Sequence, residues 1–394
     1  MSVSVIIPTI GRRSLRQATL SARQADELVI VVDKAAAETK ELEVADHPAV
    51  KVISVVGGDH GYTARAAGMA AATSTHLAFL DDDDVYVEGA IDLMREVATD
   101  RPVIFRMAHP EFGMLWRVPE LRFGNVGTPM FLVPNDPEKL GEWTPHAPTL
   151  DQPGGDFTFI AGCCAAMGEP EWREDLIALV RPPERASDVS IAVVTPWMNH
   201  PELVYDYTVA MQAGRPDELI VVDNGSEPPL AFAEMRFSNN RGFSPACNAG
   251  LTHAESDAVL FLNNDIRMRT PDWLETIRGV IEPGVLVGAK IRYDRHADVD
   301  GEQYPYLDGW CLAGYRMELL GIGGFDETFQ EPAYFSDNDL CLRARAAGMT
   351  LREVKVGLEH LLGVTSGPPD APAKVAACDA NYERYASRVR ELVG

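Results

Sequence analysis

Short, almost wholly apolar runs alternate along this chain with longer stretches of helix-forming composition. "VSVIIPT" (3–9), "LVIVVD" (28–33) and "HLAFL" (76–80) have no polar alternation and are rich in β-branched residues. That pattern predicts strands of a parallel sheet buried on both faces. "TARAAGMAAA" (63–72) between them predicts a helix. The series then returns as "VSIAVVTP" (189–196), "LIVVDN" (219–224), "PACNAGLTHA" (245–254) and "AVLFL" (258–262), and Gly68 stands 12 positions before Leu80 as Gly250 stands 12 before Leu262. A repeated order of strand, helix, strand, helix, strand, acidic turn predicts the same supersecondary unit built twice. "RPPERASD" (181–188), Pro-rich and charged, suits a linker. The expectation is two α/β domains, 1–184 and 188–394, joined near residue 185.

In open α/β sheets, ligands sit at the carboxyl ends of the strands. Three features of each copy fall there: Pro8 and Thr9 or Thr195 after the first strand, Asp33 or Asp223 after the second, and an acidic turn after "HLAFL" or "AVLFL". The first acidic turn is four consecutive aspartates, Asp81 to Asp84. One aspartate suffices to cap a following helix, and four repel one another. A shared hard cation, Mg²⁺ or Mn²⁺, takes carboxylate oxygens and often bridges to substrate phosphates.

A length of 394 residues with 46% hydrophobic content supports sizeable cores. The formal net charge of −24 argues against nucleic acid or an anionic membrane surface as the main partner. No apolar run approaches the roughly 20 residues of a membrane span. The first residues have neither the basic region nor the long apolar segment of a signal peptide. Six cysteines without CxxC spacing read as reduced thiols. The expectation is a cytoplasmic protein.

Six motifs in order make residues 188–394 resemble the family 2 glycosyltransferases of GT-A fold, especially their bacterial rhamnosyltransferase-like branch. They are "VVTPWMNHPELV", "VVDNGS" (221–226), "NRGFSPACNAG" (240–250), "FLNND" (261–265), "GGFDETF" (323–329) leading into "YFSDNDLCLR" (334–343), and "HLLGVTS" (360–366). The resemblance implies two Rossmann-like nucleotide-diphospho-sugar transferase domains in tandem and a nucleotide-sugar donor, UDP- or dTDP-linked. It implies that Asp223 and Asn248 face the nucleotide, that Asn263 and Asp265 stand where the family has its metal-binding DxD, and that His360 is a further ligand or a diphosphate contact. Asp337 takes the place of the catalytic base, and inversion at the anomeric carbon follows. Ser336 departs from the acidic residue that usually precedes the base, and Asn263 from the first Asp of DxD. Trp310 is a candidate to stack on a sugar, as is Trp143 in the first copy, although each also reads as an ordinary core aromatic. Asp339 and Arg343, four apart, read as a helical ion pair.

The first copy resembles the same family less closely. Pro8, Thr9, Asp33, Arg65 within "GYTARAAG", and "FLDDDD" stand in matching order, with Asp81 and Asp83 as the DxD and Asp82 beside them. Asn263 precedes Asp337 by 74 positions and Asp81 precedes Asp156 by 75, so spacing nominates Asp156, in "PGGDFTFIAG", as the base. An exposed turn aspartate is the alternative. Counting 23 on from Asp337 reaches His360, while the same count from Asp156 reaches Leu179. A bifunctional, metal-dependent transferase is therefore expected, acting on a saccharide, glycolipid or protein hydroxyl. The alternatives are a single active C-terminal module beside a binding module, a nucleotidyltransferase, and a haloacid-dehalogenase-like phosphatase. The last requires "DDDDV" to end the first strand.

Overall fold

A computed structural model describes residues 1–35, 42–143, 155–182, 186–361 and 372–393. Residues 183–185 of the linker stretch, 153–154 of "PGGDFTFIAG" and 362–366 of "HLLGVTS" lie outside the described residues. The chain divides into two compact units, Met1–Pro182 and Pro183–Gly394.

In the first unit Val50–Val55, Glu27–Asp33, Val3–Thr9 and His76–Phe79 lie side by side in parallel. Phe131–Pro134 then pairs antiparallel with His76–Phe79 and leads the sheet on to Val103–His109 and Glu171–Leu179. The second unit repeats the arrangement. Met235–Arg236, Glu218–Asp223, Ile191–Trp197 and Ala258–Leu262 run parallel, and Cys311–Tyr315 reverses the direction beside Ala258–Leu262. The central strands are continuous apolar runs because both faces are covered. Trp197, Tyr207 and Trp273 pack on one side of the second sheet, and Cys247, Leu319 and Leu340 on the other.

The registers match residue for residue. Ile6 pairs with Phe79, and Val194 pairs with Phe261. The helix that follows the third strand of each unit in the chain, Tyr62–Ala71 in one and Phe243–His253 in the other, presses a glycine onto Ile6 or Val194. A Cβ at Gly68 would run into Ile6 Cγ2, and one at Gly250 into Val194 Cγ1. Two residues beyond Phe79 and Phe261 the chain reaches Asp81 and Asn263, so Asp81, Asp82 and Asp83 correspond to Asn263, Asn264 and Asp265. The long helix Pro372–Val393 closes the second unit through Tyr385, Ala386 and Val389, which pack on Phe335 and Leu342.

Candidate active site

The second unit carries a cleft of about 990 Å³ at the carboxyl ends of its parallel strands. Pro196, Asn224 and Asn240 line one part of it, Asn263, Asn264 and Asp265 the middle, and Asp308, Trp310 and Asp337 the far part. The volume suits a ligand of nucleotide-sugar size.

The strand Ala258–Leu262 ends and Asn263 turns, its N–H donating to Trp310 O at 2.9 Å. After the turn Ile266–Met268 pairs antiparallel with Leu358–His360, with Ile266 opposite His360. That register brings a histidine 95 positions away onto the acidic turn. His360 Nε2 lies 3.1 Å from Asp265 Oδ1 and 3.4 Å from Asn263 Nδ2. Trp310 stacks on the imidazole, ring centroids 5.0 Å apart and planes 7° from parallel. Among the described residues no group of three or more His, Cys, Asp or Glu side chains gathers to hold a metal unaided. Asp265 and His360, a carboxylate oxygen and an imidazole nitrogen side by side at the turn, nevertheless have the donor chemistry to supply two ligands to such an ion.

Asp337 sits in the first turn of the helix Ser336–Ala346, half-buried in the cleft wall. Its Oδ2 accepts the Gly309 N–H and its Oδ1 the Asn338 N–H, both at 3.0 Å. Burial, reinforced by the charge of Asp308, pushes its carboxyl up to about 6 against those two donors. Arg292 holds Asp308 at 2.6 Å. A carboxylate poised near neutrality is suited to accept a proton. Ser336, in the place of an acid, adds no further like charge.

Other candidates serve the walls. Asp223 is fully buried; its carboxyl accepts from Ser226 N at 2.8 Å, Leu230 N at 3.0 Å and Arg236 at 3.2 Å. Burial opposes its charge, yet these donors hold the carboxyl below the usual range. It ties down its loop, and its neighbour Asn224 faces the cleft. Thr195, also buried, accepts from Tyr207 OH at 2.8 Å. Asn248 is a clamp: its Oδ1 accepts from Phe325 N and its Nδ2 donates to Phe325 O, at 2.9 and 2.8 Å. It is not among the cleft's lining residues. Asp339 pairs with Arg343 at 2.7 Å.

In the first unit arginines stand among the acids. Asp82 accepts from Thr9 Oγ1 at 2.6 Å and from Arg12 at 2.9 Å, and the same Arg12 nitrogen reaches Asp83 at 2.9 Å. Arg65, 5% exposed, pairs with Asp81, donates to His60 O at 3.1 Å and lies 5.0 Å over the Trp143 ring. Asp84 accepts the Arg181 N–H at 2.8 Å. Asp156 opens the helix Asp156–Met167 and accepts from Thr128 N at 3.1 Å. Burial pushes its carboxyl up while nearby Arg65 pulls it down. Arg65, Asp81 and Asp156 thus form one charged group. Asp33 accepts from the N–H groups of Ala35, Gly57 and Gly58 at 2.7–3.0 Å and orders its own loop. Pro8 is buried beside Gly61. Trp143 is a core residue, stacked on Phe159 at 4.3 Å. "DDDDV" follows the fourth strand in the chain, His76–Phe79, not the first, which removes the phosphatase alternative.

Sequence reasoning missed Asp308, Asn224, Asn240 and the helix Pro372–Val393 as parts of the cleft. "DGW" at 308–310 carried a local signal, an acid and an aromatic flanking a glycine. For the helix there was none, since only folding brings it there.

The chain is 27% identical over 216 residues to the pre-mycofactocin glycosyltransferase of Mycobacterium tuberculosis, covering 46% of this chain and 44% of that protein. It is 30% identical over 206 residues to an uncharacterised protein of Sinorhizobium fredii, covering 40% and 23%. It therefore spans less than half the length of these curated relatives. A solved mannosyltransferase of Pyrobaculum calidifontis, in complex with GDP-Man and Mn²⁺, aligns over 53% of this chain and 75% of its own, with 16% identity and a TM-score of 0.37. The pattern of glycosyl transferase family 2 matches residues 4–167 and 207–330, well over half of the chain, and this protein belongs to that family, with its mixed α/β GT-A fold.

Proposed function

We propose that the second unit, residues 188–394, transfers a sugar from a nucleotide-activated donor, UDP- or dTDP-linked, to an acceptor hydroxyl with inversion. The observation that carries this reading is one cleft holding both a poised carboxylate, Asp337, and the Asp265–His360 pair. Asp337 accepts the hydroxyl proton as the acceptor oxygen attacks the anomeric carbon; the bond from that carbon to the diphosphate oxygen breaks and its electrons leave with the diphosphate. Asp265 and His360 would hold a Mn²⁺ or Mg²⁺ ion, which when bound offsets the charge of the leaving diphosphate. Trp310 holds the His360 ring in place, and Asn263 and Asn264 line the turn without adding charge. The matched motifs of the rhamnosyltransferase-like branch support dTDP-rhamnose among the donors to be tried.

A second reading, in which residues 1–184 are a transferase of their own, is favoured by Asp156. It is a half-buried acid with a raised carboxyl, grouped with Asp81 as the base and the turn are in the second unit. In that unit Arg12 and Arg65 balance Asp81, Asp82 and Asp83, the positions proposed for metal and donor.

Incubation with Mn²⁺ and a panel of nucleotide sugars, read as nucleotide release, tests the assignment. Release should stop with excess chelator, return with Mn²⁺ or Mg²⁺, and be lost in Asp265→Ala. Full release in chelator refutes the metal role of Asp265 and His360.

A further inference from the structure

The cleft of the second unit continues past Asp337 under the helix Pro372–Val393. Tyr385, Ala386 and Val389 anchor the later turns of that helix in the core, and Asn381 is tied to Gln330 by two hydrogen bonds of 2.8 Å. Its earlier turns present Val375, Cys378, Asp379 and Tyr382 to the cleft, spaced i, i+3, i+4, i+7 as one helical face. Tyr334, 37% exposed, and Trp310 line the same cleft.

The charges of this part are one-sided. Asp294, Asp308, Asp337 and Asp379 are among the residues that line the cleft. The basic side chains described there are already engaged. Arg292 is held by Asp308 at 2.6 Å, His296 lies 3.3 Å from Asp294, and Lys374 has a contact of its own. An incoming phosphate or carboxylate would meet carboxylates with no uncommitted cation among the described side chains to receive it, and like charges facing each other across an interface are strongly unfavourable. Uncharged hydroxyls, by contrast, donate hydrogen bonds to carboxylates, and the apolar faces of a sugar ring lie well on aromatic rings.

Resting on the reading of Asp337 as the base, we infer that the acceptor is an uncharged, polyhydroxylated molecule, the neutral end of a glycan or glycoside. Its ring lies against the aromatic side chains that line the cleft, Tyr382 and Tyr334 among them, and acceptors bearing phosphate, lipid-linked phosphates included, are turned away. Charge selection of this kind acts as the acceptor enters the cleft as well as in the bound state.

The test uses the full chain, Mn²⁺ and whichever donor gives acceptor-free nucleotide release. Neutral p-nitrophenyl glycosides, the same sugars as 6-phosphates, and a polyprenyl phosphate in detergent are compared as acceptors. Neutral glycosides should raise release above the acceptor-free rate, and both phosphate-bearing sets should leave it at that rate. Asp379→Lys, on an exposed helix position, should let sugar 6-phosphates raise release above the acceptor-free rate, since electrostatic steering commands factors of about ten and more. Tyr382→Ala should raise KM for neutral glycosides more than it lowers kcat. If phosphorylated acceptors serve the parent protein as well as neutral ones, or no neutral glycoside stimulates release, the inference is overturned. Acceptor-free release that chelator abolishes would still support the donor site in that case. If neutral glycosides are used and Asp337→Asn uses them equally well, the assignment of the base fails and the acceptor class stands.

Discussion

Neither Asp337 nor Asp156 is held in a carboxylate's ordinary state, but the causes differ. Asp337 is raised by burial and by Asp308, with its donors on the backbone, whereas Asp156 has the Arg65 cation nearby. Asp337→Asn preserves shape and removes proton acceptance. Transfer should fall by about a hundredfold or more, and the parent's kcat/KM should rise with pH through a value near 6. The same shift has a stability consequence. An acid whose folded value exceeds its unfolded one holds its proton longer in the folded state, so its contribution declines as pH rises from about 4 to about 6. The asparagine variant escapes that decline. Above pH 6 it should be more stable than the parent by roughly 1–3 kcal/mol, and below pH 4 the two should melt together. An active variant with an unshifted melting curve would remove Asp337 from both roles. Residue identity was legible where a side chain's work is local, as for the Asp339–Arg343 pair one helical turn apart. It was illegible where work depends on distant partners. Asn248 binds a backbone 77 positions away, and three of the four aspartates are balanced by Arg12 and Arg65, which no spacing rule attaches to them.

At the scale of elements, the buried parallel strands could be read directly because both faces are covered and the apolar run is unbroken. Val50–Val55 escaped notice for the complementary reason. It runs along the sheet's margin, half-exposed with alternating burial, and looks like a loop in a search for apolar runs. The antiparallel continuation of each sheet was also missed, since its strands lie far apart in the chain with loops between. The paired glycines explain why the repeat keeps its spacing: at Gly68 and Gly250 the helix axis lies too near the strand for a Cβ. Gly250→Ala should gain about 1 kcal/mol of helix propensity and lose about 1–3 kcal/mol to overpacking against Val194. The expected outcome is a net loss, read as a lower urea midpoint with an unchanged slope. A midpoint that rises would mean that the strand and helix separate at little cost.

At the scale of the molecule, one strand order has been built twice around different electrostatics. In the second unit the turn keeps one acid, Asp265, next to a histidine delivered by a later strand, and the neighbouring positions are asparagines. In the first, all four positions are acids, two arginines enter among them, and Leu179 stands where the count reaches His360 in the other unit. A buried arginine between two acids resists removal, because breaking such a group leaves an uncompensated buried charge. The first unit therefore carries its positive charge permanently, whereas in the second the proposed ion would be exchangeable. Two sites so different in charge should not share one task. Asp156→Asn and Asp337→Asn, made in separate full-length proteins, decide whether the first site has a task at all. If each variant loses a different product or step, both units are catalysts, and the step lost with Asp156 should be the less sensitive to chelator, because Arg12 and Arg65 remain when metal is removed. If Asp337→Asn removes every product and Asp156→Asn none, the first unit serves the second by binding or support, and catalysis belongs to residues 188–394 alone.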